Sequence, residues 1–277
     1  MVTLERAQAA VAATLHDVDR LGVAYSGGVD SAVLLALATR ILGRDRVVGV
    51  LGVSPSLARD ERAAAHTVAA VIGARVLEVA THEGDNPSYV ANGPDRCFHC
   101  KDELFTRISA KVVAAEGLDA VAYGENADDV RRLDRPGARA ATRHRVLRPL
   151  ADAGLTKQEV RAVARELGLP CADKPAAPCL ASRIPHHSEV TPTKLLAVDR
   201  AERVLRELGF ADGRVRHHGD VARVELPAAD IARAASDEVR EDLLGGVRAA
   251  GFRYVALDLM GLQSGAFTLS LIQGDRA

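Results

Sequence analysis

Residues 21–42 leave the chain few options. The apolar run Leu21–Tyr25 reads as a buried strand. A helical pattern takes over at Ser31 and runs to about Leu42, with Val33, Leu34, Leu37, Ala38 and Ile41 at helical spacing. Between them lies Ser26-Gly27-Gly28-Val29-Asp30-Ser31. Two glycines allow a tight turn and a close approach of backbone N–H groups to a ligand. With the unpaired N–H groups of the helix start, they form a cradle for phosphate. Ser26 and Ser31 add hydroxyls. Asp30 does not belong in a pure anion site, so it points to a magnesium ion bridging the carboxylate to phosphate. A second buried strand, Arg46–Val53, a helix over 57–72 closed by Gly73, and a third strand, Arg75–Ala80, follow with short connections. This is the βαβαβ rhythm of an α/β fold with a doubly wound parallel sheet, whose ligands sit at the carboxyl ends of the strands.

The loop resembles the PP-loop signature SGGxDS of the ATP pyrophosphatase superfamily, a PP-loop/HUP-like sheet. It is not a Walker A loop, since no GK[ST] follows. The resemblance implies that Ala24, Ser26, Gly27, Gly28, Asp30 and Ser31 hold the pyrophosphate of ATP with Mg2+, and that the enzyme transfers AMP to a substrate oxygen. The fourth strand, Leu118–Tyr123, ends in Gly124-Glu125-Asn126. The superfamily uses this strand end beside the nucleotide, which places Gly124 and Asn126 near ATP.

At 277 residues, one large or two modest domains are expected. With 48% hydrophobic residues and no apolar run of membrane-spanning length, a soluble, cytoplasmic protein is the expectation. The N-terminus reads as an amphipathic helix and not a signal peptide. A net charge of −1 and 3% aromatic residues argue against a dedicated nucleic-acid binder. Leu147–Leu150 reads as a short edge strand, and Thr156 with Glu159 as a capping box opening a helix that ends before Pro170. Pro175, Pro178 and Pro185 make the next segment an extended hinge. The expected domains are 1–177, the ATP-binding part, and 178–277, a smaller α+β part. The latter has a helix over 193–208, a hairpin of Arg214–His217 and Val221–Leu226, helical residues 228–250 and a strand from Tyr254.

Four cysteines in such a chain point to metal or catalysis more than to disulfides. Cys97-x-x-Cys100 follows a long polar stretch, 81–100, and is followed at once by Lys101. Only five lysines survive beside many arginines, and Lys101 and Lys174 both lie in such motifs. A third cysteine, Cys179, stands in the hinge beside Ser182 and Arg183. Read alone, the CxxC is a redox pair, half a zinc site or chance. Two cysteines plus a distant third can also hold three irons of a four-iron cluster, leaving one iron open. Cys171 is the odd one out and is read as structural. Seven arginines crowd residues 131–148, either as a solvated loop or as a lid over an anionic substrate or RNA.

Together, SGGVDS, RCFHCK, DKPAAPCLASRIP and RVRHHGDVARVEL resemble the LarE family of ATP-dependent sulfur transferases of nickel-pincer nucleotide biosynthesis. The resemblance runs from about residue 20 to 265. It implies a small-molecule substrate, a pyridinium mononucleotide with two carboxylates. A carboxylate is adenylated, pyrophosphate leaves, and sulfur displaces AMP to give a thiocarboxylate. Some members sacrifice the sulfur of one hinge cysteine. Others carry the CxxC as well and bind a [4Fe-4S] cluster that delivers an added sulfide. Cys97, Cys100 and Cys179 together match the second kind, with sulfide or another sulfur donor as partner. Cys179, Asp30, Lys101, Ser182 and Arg183 are then the catalytic set. A homo-oligomer is expected, with the C-terminal domain serving substrate binding and assembly. The competing readings are a tRNA thiolase, a PP-loop amide synthetase, which has no use for the cysteines, and a non-catalytic nucleotide sensor.

The hairpin carries one further expectation. A two-residue turn at His218-Gly219 pairs Arg216 with Val221 and Arg214 with Arg223. That puts Arg214, Arg216, Arg223 and Glu225 on one face and Val215, Ala222, Val224 and Leu226 on the other. In the LarE-like reading Arg214 and Arg216 hold the substrate phosphate, and Glu202 with Glu225 offer a metal pair. The bland reading is an exposed charged face.

Overall fold

The structure is a computed structural model that describes residues 3–131, 136–175 and 177–262. It divides into two compact units. One comprises Met1–Glu83 and Cys97–Ala177, the other Gly84–Arg96 and Pro178–Ala277. The segment 84–96, which the sequence reading leaves in the first domain, therefore groups with the second unit.

The first unit is built on four parallel strands, β1 (Leu21–Ala24), β2 (Val47–Val53), β3 (Arg75–Ala80) and β4 (Ala120–Tyr123), in the order β3-β2-β1-β4. The order reverses between β1 and β4, the switch point at which sheets of this kind take their ligands. Alternation along the strands feeds two cores. Leu21, Val23, Val47 and Leu51 pack with the helices Leu4–Thr14, Val29–Leu42, Arg59–Ile72 and Lys157–Glu166. Val48, Val50 and Val79 pack with Phe105, Ile108, Ala140 and Ala141 on the other face. The expected α/β doubly wound parallel sheet is what the chain forms.

The expected edge strand at 147–150 is reduced to one residue. Leu147 bridges Ala122 in parallel, and Pro149 then opens a short helix, Pro149–Asp152. Proline has no N–H to extend a ladder and suits the first helical position. The cysteine-bearing stretch is not a loop either. The helix Arg96–Arg107 begins before Cys97, continues through a π-helical stretch, Ile108–Val113, and stops at Gly117. Part of the arginine-rich segment is also ordered, as the helix Pro136–Arg143 with Ala140 and Ala141 buried. Arg132 and Arg135 lie outside the described residues.

The second unit is a mixed sheet of β5 (Arg214–His218), β6 (Val221–Glu225) and β7 (Tyr254–Leu257), with β5 antiparallel and β7 parallel to β6. The helix Pro192–Glu207 buries Val198, Ala201 and Leu205, and helices Ala228–Ala234 and Asp237–Ala249 make the crossover. The hairpin turns at Gly219-Asp220, one residue later than expected. Arg214 faces Glu225, Arg216 faces Arg223, and His218 faces Val221. Gly219 has φ +62°, and a two-residue turn of type II′ wants glycine first, not second. The slip is two residues in pairing, so the predicted faces survive. The face itself is not exposed, because Arg214, Arg216 and Glu225 are buried. Among the described residues no helix is long and apolar enough to cross a membrane.

Candidate active site

In the first unit, Tyr25 fixes the start of the glycine loop. Its N–H donates to Val50 O at 2.9 Å and its hydroxyl to Ala65 O at 2.7 Å. Burial raises the Tyr25 pKa far above its ordinary value, with nearby Cys171 adding to the shift, so the phenol stays a donor. Gly27 takes φ +76°, and a Cβ there would lie 2.7 Å from Ala65 Cβ. No side chain fits, on either count. Gly28 caps the helix Val29–Leu42. Ser31 Oγ donates to Gly28 O at 3.0 Å and accepts from Ser26 N at 3.2 Å, with Ser26 Oγ 3.1 Å away. The two serines thus brace the loop internally.

The end of β4 presses against this loop. A Cβ on Gly124 would stand 2.5 Å from Ser31 N and 2.7 Å from Asp30 C. Asn126 is buried. Its Nδ2 donates to Asp30 Oδ1 at 3.1 Å, while its Oδ1 accepts from Asp128 N and Asp129 N as a helix cap. The other Asp30 oxygen accepts from Lys157 Nζ at 2.5 Å. Lys157 opens the helix Lys157–Glu166 behind the Thr156/Glu159 capping box, and its own N–H donates to Asp128 at 2.8 Å. The predicted residues Asp30, Ser26, Ser31, Gly124 and Asn126 are therefore brought together. Asp30 offers the hard oxygen a magnesium ion needs, and Lys157 supplies the cationic partner it has here.

One turn further along that helix, Arg161 donates to Ala172 O and Lys174 O, and Lys174 Nζ donates to both oxygens of Glu61 at 2.7 Å. Cys171 is buried in the same core, and burial pushes its thiol pKa up. Cys97 is exposed and Cys100 half-buried, three residues apart on one helix and hence on one side of it. Lys101 Nζ lies 4.6 Å from the Tyr123 ring centre. Arg139 stacks over Phe98 at 4.9 Å, and Asp102 accepts from His144 at 2.8 Å and Arg143 at 3.3 Å. The described part of the arginine-rich segment thus braces the cysteine helix.

In the second unit, Cys179 is exposed and precedes a 3-10 turn, Leu180–Arg183. That turn is tied down at its far end. Arg183 is buried and donates to Glu202 at 2.7 Å and 3.3 Å, and to Ser182 Oγ at 2.8 Å. Ser182 O accepts from Arg216 at 3.0 Å. Glu202 also accepts from Val215 N at 3.1 Å. Glu225 accepts from Arg216 at 2.8 Å and from Arg223 at 3.1 Å, and Arg223 also pairs with Asp258 at 2.8 Å. Arg214 is buried beside Arg183 and Arg216. Burial, and then those two charges, lower its pKa. Guanidinium groups crowded this way suit an anion. Glu202 and Glu225, expected as a metal pair, both hold arginines here. Among the described residues no three His, Cys, Asp or Glu side chains gather as a metal site. Cys97 and Cys100 belong to the first unit and Cys179 to the second.

Sequence reasoning missed Lys157, Asn92 and Arg96. Lys157 carried a signal, as one of five lysines and at a capping box. Asn92 is buried at φ +56°, and its amide donates to the carbonyls of Ile184, Pro185 and Ser188. Arg96 bonds Asn92 Oδ1 at 2.6 Å and Ala181 O at 3.0 Å, which steadies the turn after Cys179.

A family model described as asparagine synthase matches residues 3–169. An uncharacterized protein of Synechocystis sp. is 43% identical over 249 residues, covering 90% of this chain and 92% of the relative. A pyridinium-3,5-bisthiocarboxylic acid mononucleotide synthase of Lactiplantibacillus plantarum is 35% identical, covering 100% of this chain and 99% of that enzyme. An uncharacterized protein of Methanocaldococcus jannaschii is 26% identical over 237 residues.

Proposed function

The chain belongs to the asparagine synthase family of PP-loop ATP-using enzymes and is LarE-like, and on that premise we propose that it is an ATP-dependent sulfur transferase acting on pyridinium-3,5-biscarboxylic acid mononucleotide. The observation that carries this reading is the turn after Cys179. An exposed sulfur stands on the same short turn whose Ser182 and Arg183 are bonded to the buried arginine–glutamate cluster. A thiol-bearing loop built onto an anion-receptive cluster suits sulfur delivery to an anionic nucleotide. It has no purpose in an amide synthetase.

The chemistry then runs in two displacements. A substrate carboxylate oxygen attacks the α-phosphorus of ATP, the bond from that phosphorus to the oxygen bridging it to the β-phosphate breaks, and pyrophosphate leaves. The helix start at Gly28–Ser31 neutralises charge building on the leaving pyrophosphate. Asp30 would hold the magnesium ion, which would offset charge on the pyrophosphate, and Lys157, bonded to Asp30, is the cation placed beside the phosphates. A sulfur nucleophile next attacks the acyl carbon, the C–O bond breaks, and AMP leaves a thiocarboxylate. Arg214 and Arg216 hold the substrate phosphate. Lys101 with Tyr123 stands at the end of β4, on the nucleotide side.

Cys97, Cys100 and Cys179 would supply the thiolates for a [4Fe-4S] cluster. The donors fit by chemistry, being soft, with Cys97 and Cys179 exposed and Cys100 half-buried, and such a cluster would supply an exchangeable sulfide. A second reading, in which Cys179 gives up its own sulfur, is favoured by its being exposed and the one cysteine of its unit among the described residues. Work in the cytoplasm as a homo-oligomer completes the proposal.

Pyrophosphate release with the biscarboxylic nucleotide and ATP tests the activity. Asp30→Ala is expected to abolish it while leaving the fold intact. Undiminished release refutes the ATP site, and turnover of tRNA in place of the nucleotide refutes the substrate. Iron and labile sulfide counts after anaerobic reconstitution decide the sulfur route. A protein that holds no cluster, and whose Cys179 loses the mass of hydrogen sulfide after one turnover, establishes the second reading.

A further inference from the structure

Asp258 follows β7 directly and enters the site described so far only as a partner of Arg223. Its side chain is 13% exposed. Oδ1 accepts from Met260 N at 2.9 Å, and Oδ2 accepts from Arg223 Nη1 at 2.8 Å. Its own N–H donates to Val224 O at 2.8 Å, which fixes its position on the sheet.

The register explains why a carboxylate is needed there. Arg216 and Arg223 are directly opposite on β5 and β6. Like charges facing each other across strands repel. Glu225 lies two residues beyond Arg223 on the same face and divides its oxygens, Oε2 to Arg216 Nη2 at 2.8 Å and Oε1 to Arg223 Nη2 at 3.1 Å. An arginine's fork prefers to take both oxygens of one carboxylate. Arg223 is the nearer neighbour in sequence and could claim both. Asp258 prevents this by drawing Nη1 of Arg223 the other way. Glu225 Oε2 is then left for Arg216, whose Nη1 reaches Ser182 O at 3.0 Å.

We propose that Asp258 is a positioning residue for Arg216. It sets how Glu225 is shared between two arginines, and so where the Arg216 guanidinium points. The inference rests on the reading that Arg216 holds the phosphate of the nucleotide substrate.

Asp258→Asn tests it. The amide keeps the bond to Met260 N and removes the charge that holds Arg223. The KM for the biscarboxylic nucleotide is expected to rise about tenfold, the loss of about 1.4 kcal/mol of binding. The kcat and the KM for ATP are expected to stay within twofold. Asp258→Glu, which keeps the charge, is expected to keep the wild-type KM within about threefold. The double variant Arg223→Gln/Asp258→Asn should be no worse than Arg223→Gln alone, because Asp258 has no task once Arg223 is gone. A fall in kcat as large as the rise in KM in Asp258→Asn, or strict additivity in the double variant, overturns the proposal and makes Asp258 scaffold. If the wild-type protein releases no pyrophosphate with this nucleotide, the functional reading fails on its own account. The crystal structure of Asp258→Asn soaked in inorganic phosphate then judges Asp258. Arg216 separated from Glu225 supports the inference, and an unchanged 2.8 Å pair overturns it.

Discussion

Gly124→Ala is the sharpest perturbation the first unit offers. Gly124 is not in the left-handed region, so alanine costs nothing in backbone conformation. The whole penalty is steric. The new methyl would stand 2.5 Å from Ser31 N, 2.7 Å from Asp30 C and 2.8 Å from Ser31 Cα, where ordinary contact begins at 3.4 Å. Either β4 or the glycine loop has to retreat by roughly 0.9 Å, and all three neighbours are backbone, so no side chain can swing aside. Overpacking of this kind costs about 1–3 kcal/mol. The displaced atoms belong to Asp30 and Ser31, and a misplacement of about 1 Å costs about 10²-fold in rate. Pyrophosphate release should therefore fall about a hundredfold while the protein remains folded by circular dichroism. Gly245→Ala is the control. Nothing lies within 4 Å of a Cβ there, and the site is inside the helix Asp237–Ala249. It should stabilise the protein by about 0.4–1 kcal/mol and leave activity alone. A Gly124→Ala enzyme with wild-type kcat and an unchanged melting temperature refutes the close approach of β4 to the loop.

Two other outcomes follow from named contacts. Lys157→Met removes the partner of Asp30 from a half-exposed ion pair, so it should cost under about 1 kcal/mol of stability yet cut pyrophosphate release by about 10²-fold or more; a variant that melts normally and turns over normally refutes a role for Lys157 at the phosphates. Hydrogen bonds from Arg62, and then from His66, hold the Glu78 carboxyl down to about 2. Its folded pKa lies below its unfolded value, so its stabilisation is full above about 4.5 and is lost as pH falls toward 2. Glu78→Gln should flatten the fall of melting temperature across that window, and parallel curves for the two proteins would show that the pair contributes nothing.

Much of the first unit was legible because its signals are local. A strand running into a helix through two glycines fixes a direction, and the unbroken apolar run Val47–Val53 marks a strand covered on both faces. Side-chain period decided the hairpin faces, which survived an error of two residues in pairing. Turn chemistry decides the register, and the preference of a type II′ turn for glycine at its first position puts the turn at Gly219-Asp220. What was not legible is where long side chains reach. The capping box located the start of the helix at Lys157, but not the path of Nζ to Asp30, some 127 positions earlier in the chain. Arg139 and Arg143 read as solvent or ligand contacts because their partners, Phe98 and Asp102, are distant in sequence, 41 positions for Arg143 and Asp102. Asn92 gave no signal, since a buried asparagine holding three carbonyls looks like any other loop asparagine in sequence.

The helix Lys157–Glu166 grips two things. Lys157 holds Asp30 of the glycine loop, and Arg161, one turn on, holds the carbonyls of Ala172 and Lys174. Lys174 is in turn fastened to Glu61. These contacts are made by protein groups alone, so the order of the stretch through which the chain leaves the first unit does not depend on nucleotide. The entropy of fixing it is spent once, at folding, and not again in each catalytic cycle. In hydrogen exchange, the amides of 172–174 should be protected in the nucleotide-free protein nearly as well as those of the helix that holds them.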